Sequence, residues 1–339
     1  MKKRVLLKDI AEKVGVSTSL VSYVLNHQLE DRISKKTAEK IRRTAAELNY
    51  QPNQIAKSLK SNKTQTIGLI VADISNPFSS SIARIIEDEA KKHGYTVIFG
   101  SADESTKKSS NLIEVLLSRQ VDGFIIAPPA GFEKQLIALQ NQDVPFVLID
   151  RYFPGLNMNY VVIDNFDTSF NAVTHLIKNG YQHIGMLNYT SKLPHLQDRS
   201  KGYWEALKKA GRKKDRSSYV EINEAKIKTE VPSAIEKLLH KKNPIDALFF
   251  STNNLAIEGL SFIRKAGIKV PGDLAVICFD QTNAYDLFAS SITYIQQPLL
   301  EMGQNAVQLL LASMDDRDLV KETVLRSKLI KHNSSKRRA

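Results

Sequence analysis

The chain has 339 residues, 42% of them hydrophobic, with a single cysteine and a formal charge of +12. That is enough chain for two or three domains with sizeable cores, too apolar for a disordered protein and too poor in cysteine for a disulfide framework. No apolar run approaches the roughly 18 residues of a membrane span, and the start, Met1 to Asp9, has too short a hydrophobic segment for a secretory signal, so we expect a cytoplasmic protein with no membrane partner.

The charge is unevenly placed. Residues 1 to 63 hold 14 Lys/Arg against 6 Asp/Glu, a surplus of eight out of the total of twelve. Under a fifth of the chain therefore carries two thirds of the excess, which favours a polyanionic partner for that segment.

In the same segment Leu7, Ile10, Ala11 and Val14 repeat at the spacing of a short helix with one buried face. Gly15 ends it, Ser17 caps a second helix, and Val21, Val24 and Leu25 supply that helix's inner face. Two short helices joined by a glycine turn read as helix-turn-helix. The second helix turns Thr18, Ser19, Ser22 and Tyr23 outward together, a small polar surface of the size that reads base edges in a DNA groove; the alternative is a solvated face. Ser34 caps a third helix with Ala38, Ile41, Ala45 and Leu48 inward, leaving Lys35, Lys36, Lys40, Arg42 and Arg43 outside for phosphates. The stretch from Gln51 to Lys60, with Pro52 near its start, is a helix of under three turns, too short to persist alone; it is expected to act as a hinge that orders on DNA.

From Ile67 the pattern changes to short apolar strands alternating with helices. Strands are expected at Ile67–Val71, Thr96–Phe99, Gly123–Ile126 and Phe146–Ile149, with helices at Pro77–Lys92 and Asn111–Arg119. A second series follows: strands at Tyr160–Ile163, Ile184–Leu187, Ala247–Phe250 and Ala275–Phe279, helices at Phe170–Asn179, Gly202–Ala210 and Ala256–Lys265, and a last helix at Pro298–Met314. This alternation builds doubly wound parallel sheets, and its repetition implies two similar lobes.

Ligands of such sheets bind beyond the carboxyl ends of the strands. That rule selects Asp73, Asn76 and Phe78 after the first strand, Asp150 and Arg151 after the fourth, then Asn253 and Asp280. Carboxylate, amide and guanidinium groups satisfy neighbouring hydroxyls, and an aromatic ring covers an apolar sugar face. Cys278, in an apolar run, reads as a buried thiol, Trp204 as packing rather than a stacking platform, and His183 as a turn residue leading into a strand. The chain shows no Gly-rich phosphate loop, no His/Cys metal cluster and no Gly-x-Ser-x-Gly elbow, so neither an enzyme nor a bound cofactor or metal is expected.

Lys8-Asp9-Ile10-Ala11, Gly15-Val16-Ser17, Val21-Ser22, Val24-Leu25-Asn26, Asn49-Tyr50-Gln51-Pro52-Asn53 and Ala56-Lys57-Ser58-Leu59 closely resemble the lactose/galactose repressor (LacI/GalR) family. The resemblance continues through Asp73-Ile74-Ser75-Asn76-Pro77-Phe78, Leu148-Ile149-Asp150-Arg151, Arg199-Ser200-Lys201-Gly202-Tyr203, Val270-Pro271-Gly272-Asp273 and Gln297-Pro298, covering nearly the whole chain. It implies an all-α helix-turn-helix headpiece (1–50), a hinge and linker (51–64) and a two-lobed α/β domain like the periplasmic binding proteins (65–339), with lobe crossovers near 160, 292 and 322. It further implies that Thr18, Ser19 and Tyr23 read bases, that the hinge contacts DNA through Asn53, Ala56 and Lys57, and that Leu59 inserts between base steps as an apolar wedge. Arg199 and Gln297 join Asp73, Asn76, Phe78, Arg151, Asn253 and Asp280 as effector contacts. For any one of these the alternative is a strand-end cap or an interlobe salt bridge.

The expected protein is a homodimeric repressor that binds operator DNA under the control of a small effector, a sugar or sugar phosphate. The tail from Lys331 has no heptads that would join dimers into a tetramer. A free solute-binding protein of the same fold is the alternative, and the attached helix-turn-helix argues against it. Two departures from the family pattern bear on specificity. Tyr23 stands where many members carry arginine, and His27 to Arg32 is about two residues longer than the common pattern.

Overall fold

The computed structural model describes residues 5–26, 32–50 and 63–337, and the chain divides into two compact units, Met1–Thr64 and Gln65–Ala339. The first unit contains three described helices, α1 (Leu7–Val14), α2 (Thr18–Leu25) and α3 (Lys35–Glu47). Ile10, Ala11, Val14, Val21, Val24, Ile41 and Ala45 form its core, with Leu7, Leu25, Ala38 and Leu48 packed at the margin. Gly15 takes the left-handed conformation (φ 82°) that lets its N–H close α1 on the Ala11 carbonyl at 2.8 Å. The Ser17 hydroxyl accepts from the Leu20 N–H at 3.2 Å, and that of Ser34 from the Thr37 N–H at 3.2 Å, so α2 and α3 start where capping chemistry placed them.

The second unit begins with β1 (Thr66–Val71), α4 (Pro77–Lys92), β2 (Thr96–Ser101), α5 (Thr106–Ser118), β3 (Gly123–Ile126), α6 (Glu133–Asn141), β4 (Phe146–Ile149) and β5 (Tyr160–Ile163). It continues with α7 (Asn165–Lys178), β6 (Ile184–Tyr189), α8 (Pro194–Lys209), β7 (Tyr219–Ile222), α9 (Ile227–His240), β8 (Ala247–Phe250), α10 (Asn253–Lys265), β9 (Ala275–Phe279) and β10 (Thr293–Gln296). The chain then returns through α11 (Leu299–Asp315), β11 (Glu322–Leu325) and β12 (Lys328–Ile330).

Two six-stranded sheets result, in the orders β11-β5-β4-β3-β1-β2 and β12-β10-β9-β8-β6-β7. All pairs are parallel except β10 with β12. The cores of both sheets share one strand order, so each has its switch point between its first and third strands, β1 and β3 in one lobe and β6 and β8 in the other. The chain passes between lobes after β5, after β10 and between β11 and β12, a few residues later than the expected 160, 292 and 322.

Four helices start three or more residues before their expected beginnings: α5 at Thr106, α7 at Asn165, α8 at Pro194 and α10 at Asn253. In each the first turns are polar or face the cleft, so the apolar stripe that betrays a helix begins late. Ser105, Asp164 and Thr252 cap α5, α7 and α10 through their side chains, and Pro194 occupies the first turn of α8, where its missing N–H costs nothing. The short strands β7, β10, β11 and β12 and the helix α9, whose pattern Pro232 interrupts, carry too little periodicity to be read from sequence. Where α8 crosses α7, Gly202 lets the backbones meet: a Cβ there would lie 2.3 Å from the Phe166 carbonyl oxygen.

Trp204 packs against the main core, with its ring centroid 4.7 Å from that of Tyr203 and 5.6 Å from that of Tyr219. Cys278 is fully buried, and burial pushes its thiol up. His183 immediately precedes β6 and its N–H donates to Asp246 Oδ1 at 2.9 Å.

Candidate functional site

On the headpiece, Thr18 and Ser19 stand exposed at the start of α2, while Ser22 and Tyr23 are half-buried. Asn26 donates from Nδ2 to the Ser22 carbonyl at 2.8 Å and lies 3.3 Å from its Oγ, so Ser22 is partly engaged within its own helix. Lys35, Lys36, Arg42 and Arg43 are exposed on α3. Lys40 instead donates to the Val14 carbonyl at 3.1 Å, capping the carboxyl end of α1. Asn53, Ala56, Lys57 and Leu59 lie outside the described residues.

In the second unit the loops at the carboxyl ends of both sheets enclose a cavity of about 250 Å³. All nine residues expected to meet an effector line it: Asp73, Asn76, Phe78, Asp150, Arg151, Arg199, Asn253, Asp280 and Gln297. The lobes supply equivalent parts. Asp150 follows β4 and Asp280 follows β9, and both adopt left-handed backbone (φ 66° and 64°), turning the chain sharply out of its strand into the cleft. Asn76 caps α4 through the Phe78 N–H (2.9 Å), and Asn253 opens α10. Their amides pair across the cleft, Asn253 Nδ2 donating to Asn76 Oδ1 at 2.7 Å and Asn76 Nδ2 to Asn253 Oδ1 at 3.3 Å.

Each arginine sits in a dense polar setting. Arg151 makes a bidentate pair with Glu104 (2.6 and 2.7 Å) and donates to the Pro128 carbonyl at 3.2 Å. Burial opposes its charge, and the Glu104 carboxylate overcomes that, holding the guanidinium above its ordinary value. Arg199 donates from Nε to Asn165 Oδ1 (2.8 Å) and from Nη1 to the Ser251 carbonyl (2.7 Å), and its guanidinium lies 3.5 Å from the centroid of the Phe279 ring. Burial lowers it to about 10, which leaves it charged at neutral pH.

Burial raises the Asp280 carboxyl to about 6 despite the opposing field of Arg199 and a 2.6 Å hydrogen bond donated by Gln297 Nε2. His195, only 5% exposed, is held well below its usual value by burial and then by Arg199 and Arg151, so its imidazole is neutral. Asp73 is occupied locally: its Oδ1 accepts from the Ser75 N–H (2.9 Å) and its Oδ2 from the Ser75 hydroxyl (2.7 Å).

Among the described residues, His195 Nδ1 and Gln297 Oε1 are buried on the cavity wall with no hydrogen-bond partner, and Arg151 Nε has only the Asp150 carboxylate at 3.5 Å. Unsatisfied buried groups are costly unless something else meets them, so their convergence makes this cavity the candidate ligand site. The strand-end rule overlooked Glu104, Tyr189, His195 and Glu224, which also line the cavity. Glu104 and Tyr189 would have followed from applying that rule to β2 and to the full length of β6. Glu224 and His195 sit beside β7 and on the first turn of α8, neither of which the sequence pattern revealed.

A two-lobed α/β unit with a polar cavity at its switch points, preceded by a helix-turn-helix unit, defines a ligand-responsive DNA-binding regulator. Residues 64–335 match the family model described as periplasmic binding proteins and sugar binding domain of LacI family, and residues 6–53 match bacterial regulatory proteins, lacI family. The chain belongs to the LacI family of transcriptional regulators. It is 32% identical over 308 residues to the HTH-type transcriptional repressor CytR of Escherichia coli (strain K12), covering 91% of this chain and 89% of that protein. It is also 32% identical over 321 residues to catabolite control protein A of Priestia megaterium, covering 94% of each. The crystal structure of the lac repressor dimer bound to operator and the anti-inducer ONPF superposes with a TM-score of 0.86 at 24% identity, over 98% of this chain and all of the other.

Proposed function

We propose that this regulator is a homodimeric repressor: the headpiece (1–50) binds operator DNA, residues 51–64 form a hinge, and a sugar-class effector in the cavity of 65–339 sets the affinity for DNA. The single observation that carries the effector reading is the cavity itself, whose wall holds buried hydrogen-bonding atoms left without partners. Asp150, Asp280, Arg199, Asn253 and Gln297 present hydroxyl-matching groups, and Phe78 offers the ring that covers an apolar sugar face.

In this reading Thr18 and Ser19 reach base edges, Ser22 and Tyr23 complete the contact from the same helix, and Asn53, Ala56, Lys57 and Leu59 engage the minor groove from the hinge. Tyr23, in place of the family's frequent arginine, gives the operator a different base preference at that position. A dimer is supported by the open edge of the first sheet, where β2 exposes Ile98 and Phe99 (58%) and α5 exposes Val115. The edges and interlobe amide pair supply the two-state element: effector binding shifts the lobe arrangement, and DNA affinity changes by linkage. Such a regulator works in the cytoplasm, where its DNA is. A thermal-shift screen of sugars tests the effector reading directly, because a bound ligand stabilises the second unit by mass action. Absence of any shift across a broad sugar panel contradicts it.

A further inference from the structure

The charges that line the cavity do not balance. Asp73, Glu104, Asp150, Glu224 and Asp280 face only Arg151 and Arg199, and His195 is neutral. Burial raises three of these carboxyls, those of Asp150, Glu224 and Asp280, and the wall stays negative as long as one of the three is ionised, as Asp280 at about 6 is at neutral pH. Both Nη atoms of Arg151 are held by the Glu104 carboxylate, while Nε and Nη1 of Arg199 donate to the Asn165 amide and the Ser251 carbonyl. An incoming phosphate meets more carboxylates than guanidiniums on this wall.

The surplus is localised. The carboxylate of Glu224, from the second lobe, has no hydrogen bond or ion pair among the described residues; burial first, and then the Glu104 carboxylate of the first lobe, raise it, with Arg151 opposing and Asp73 adding a smaller repulsion. An independent observation says that a hydrogen-bonding molecule belongs here: His195 Nδ1 and Gln297 Oε1, on residues 5% and 6% exposed, line the same cavity without partners.

We infer that the effector is a hydroxyl-rich molecule carrying a positive charge, an amino sugar by class, whose ammonium group lies between Glu224 of one lobe and Glu104 and Asp73 of the other. The hydroxyls meet Asp280, Gln297 and the His195 imidazole at the back of the cavity. This inference rests on the effector reading above and fixes its chemistry. It also supplies a closing device, since a cation placed between like charges on opposite lobes removes their repulsion and draws the cleft shut.

The test is isothermal titration of the full chain with matched triplets: glucosamine, galactosamine and mannosamine, each against its parent hexose and the hexose 6-phosphate. The amine of the preferred scaffold binds at least about tenfold more tightly than its parent, the size of one charge-assisted hydrogen bond, and the phosphates do not compete. Glu224→Gln abolishes the difference between amine and parent. Glu104→Gln, which releases Arg151, admits the 6-phosphate. Parent or phosphate binding as tightly as the amine overturns the charge assignment and leaves the effector site standing. Neutral sugars alone binding has the same meaning, and a chain that binds none of the triplets and no member of a broad sugar screen overturns both readings.

Discussion

Replacing Asp280 by asparagine is expected to make the second unit more stable at alkaline pH, although it deletes a carboxylate facing Arg199. In the folded chain burial raises this carboxyl from 3.8 to about 6. The folded state therefore holds a proton between those values that the unfolded state has released, and stability from this group falls as pH rises through the window. At about 1.4 kcal/mol per pH unit, the ionised carboxylate destabilises the fold by about 3 kcal/mol above pH 7. Asparagine keeps the acceptor for Gln297 Nε2 and cannot ionise. Urea unfolding followed by the fluorescence of Trp204, the only tryptophan, reports on this unit. Asp280→Asn should exceed the parent chain by up to about 3 kcal/mol at pH 8 and converge with it near pH 4. A variant less stable than the parent at pH 8 would show that the pairing with Arg199 outweighs the cost of burial and would refute the reasoning.

Gly202→Ala forces a Cβ to within 2.3 Å of the Phe166 carbonyl oxygen and 2.9 Å of the Phe170 nitrogen, so α7 and α8 must separate; a loss of about 3 kcal/mol in the same urea assay is expected. Thr18→Ala or Ser19→Ala should weaken operator binding by about 1–3 kcal/mol in fluorescence anisotropy, with the salt dependence unchanged because no phosphate contact is lost. Equal affinity for both variants would remove α2's outer face from base reading. Cys278, fully buried with its thiol pushed up, should resist a thiol reagent at pH 8 in native buffer and react once in urea. Asn253→Ala deletes the amide pair with Asn76, and small-angle scattering should show a more open cleft.

The fold was legible wherever one face of an element is continuously apolar. The strands β3, β4, β8 and β9, buried throughout, β1, buried from Ile67 on, and the stripes of α1 to α4 were read within a few residues. Elements at sheet edges were lost because β7, β11 and β12 are half-exposed and short. The cavity residues Asp73, Asp150 and Asp280 were legible for a topological reason: each follows a buried strand, and the switch-point rule needs only the strand. Glu104 follows an edge strand read too short, and Glu224 an edge strand not read at all. Both belong to the acidic side of the cavity, so the sequence reading admitted a sugar phosphate that the assembled charges disfavour. Nothing in the sequence could show that Asn76 and Asn253, 177 residues apart, bind one another.

The central claim is that one chain couples a cavity in its second unit to DNA held by its first. The direct measurement is the dissociation constant for DNA that the full chain itself selects from a random library, at fixed salt, with and without a saturating amino sugar that binds the cavity. The account predicts a change of at least about fivefold, the lower end of allosteric coupling, and its loss when Arg199→Ala blocks ligand binding. An unchanged dissociation constant at full cavity occupancy would contradict it.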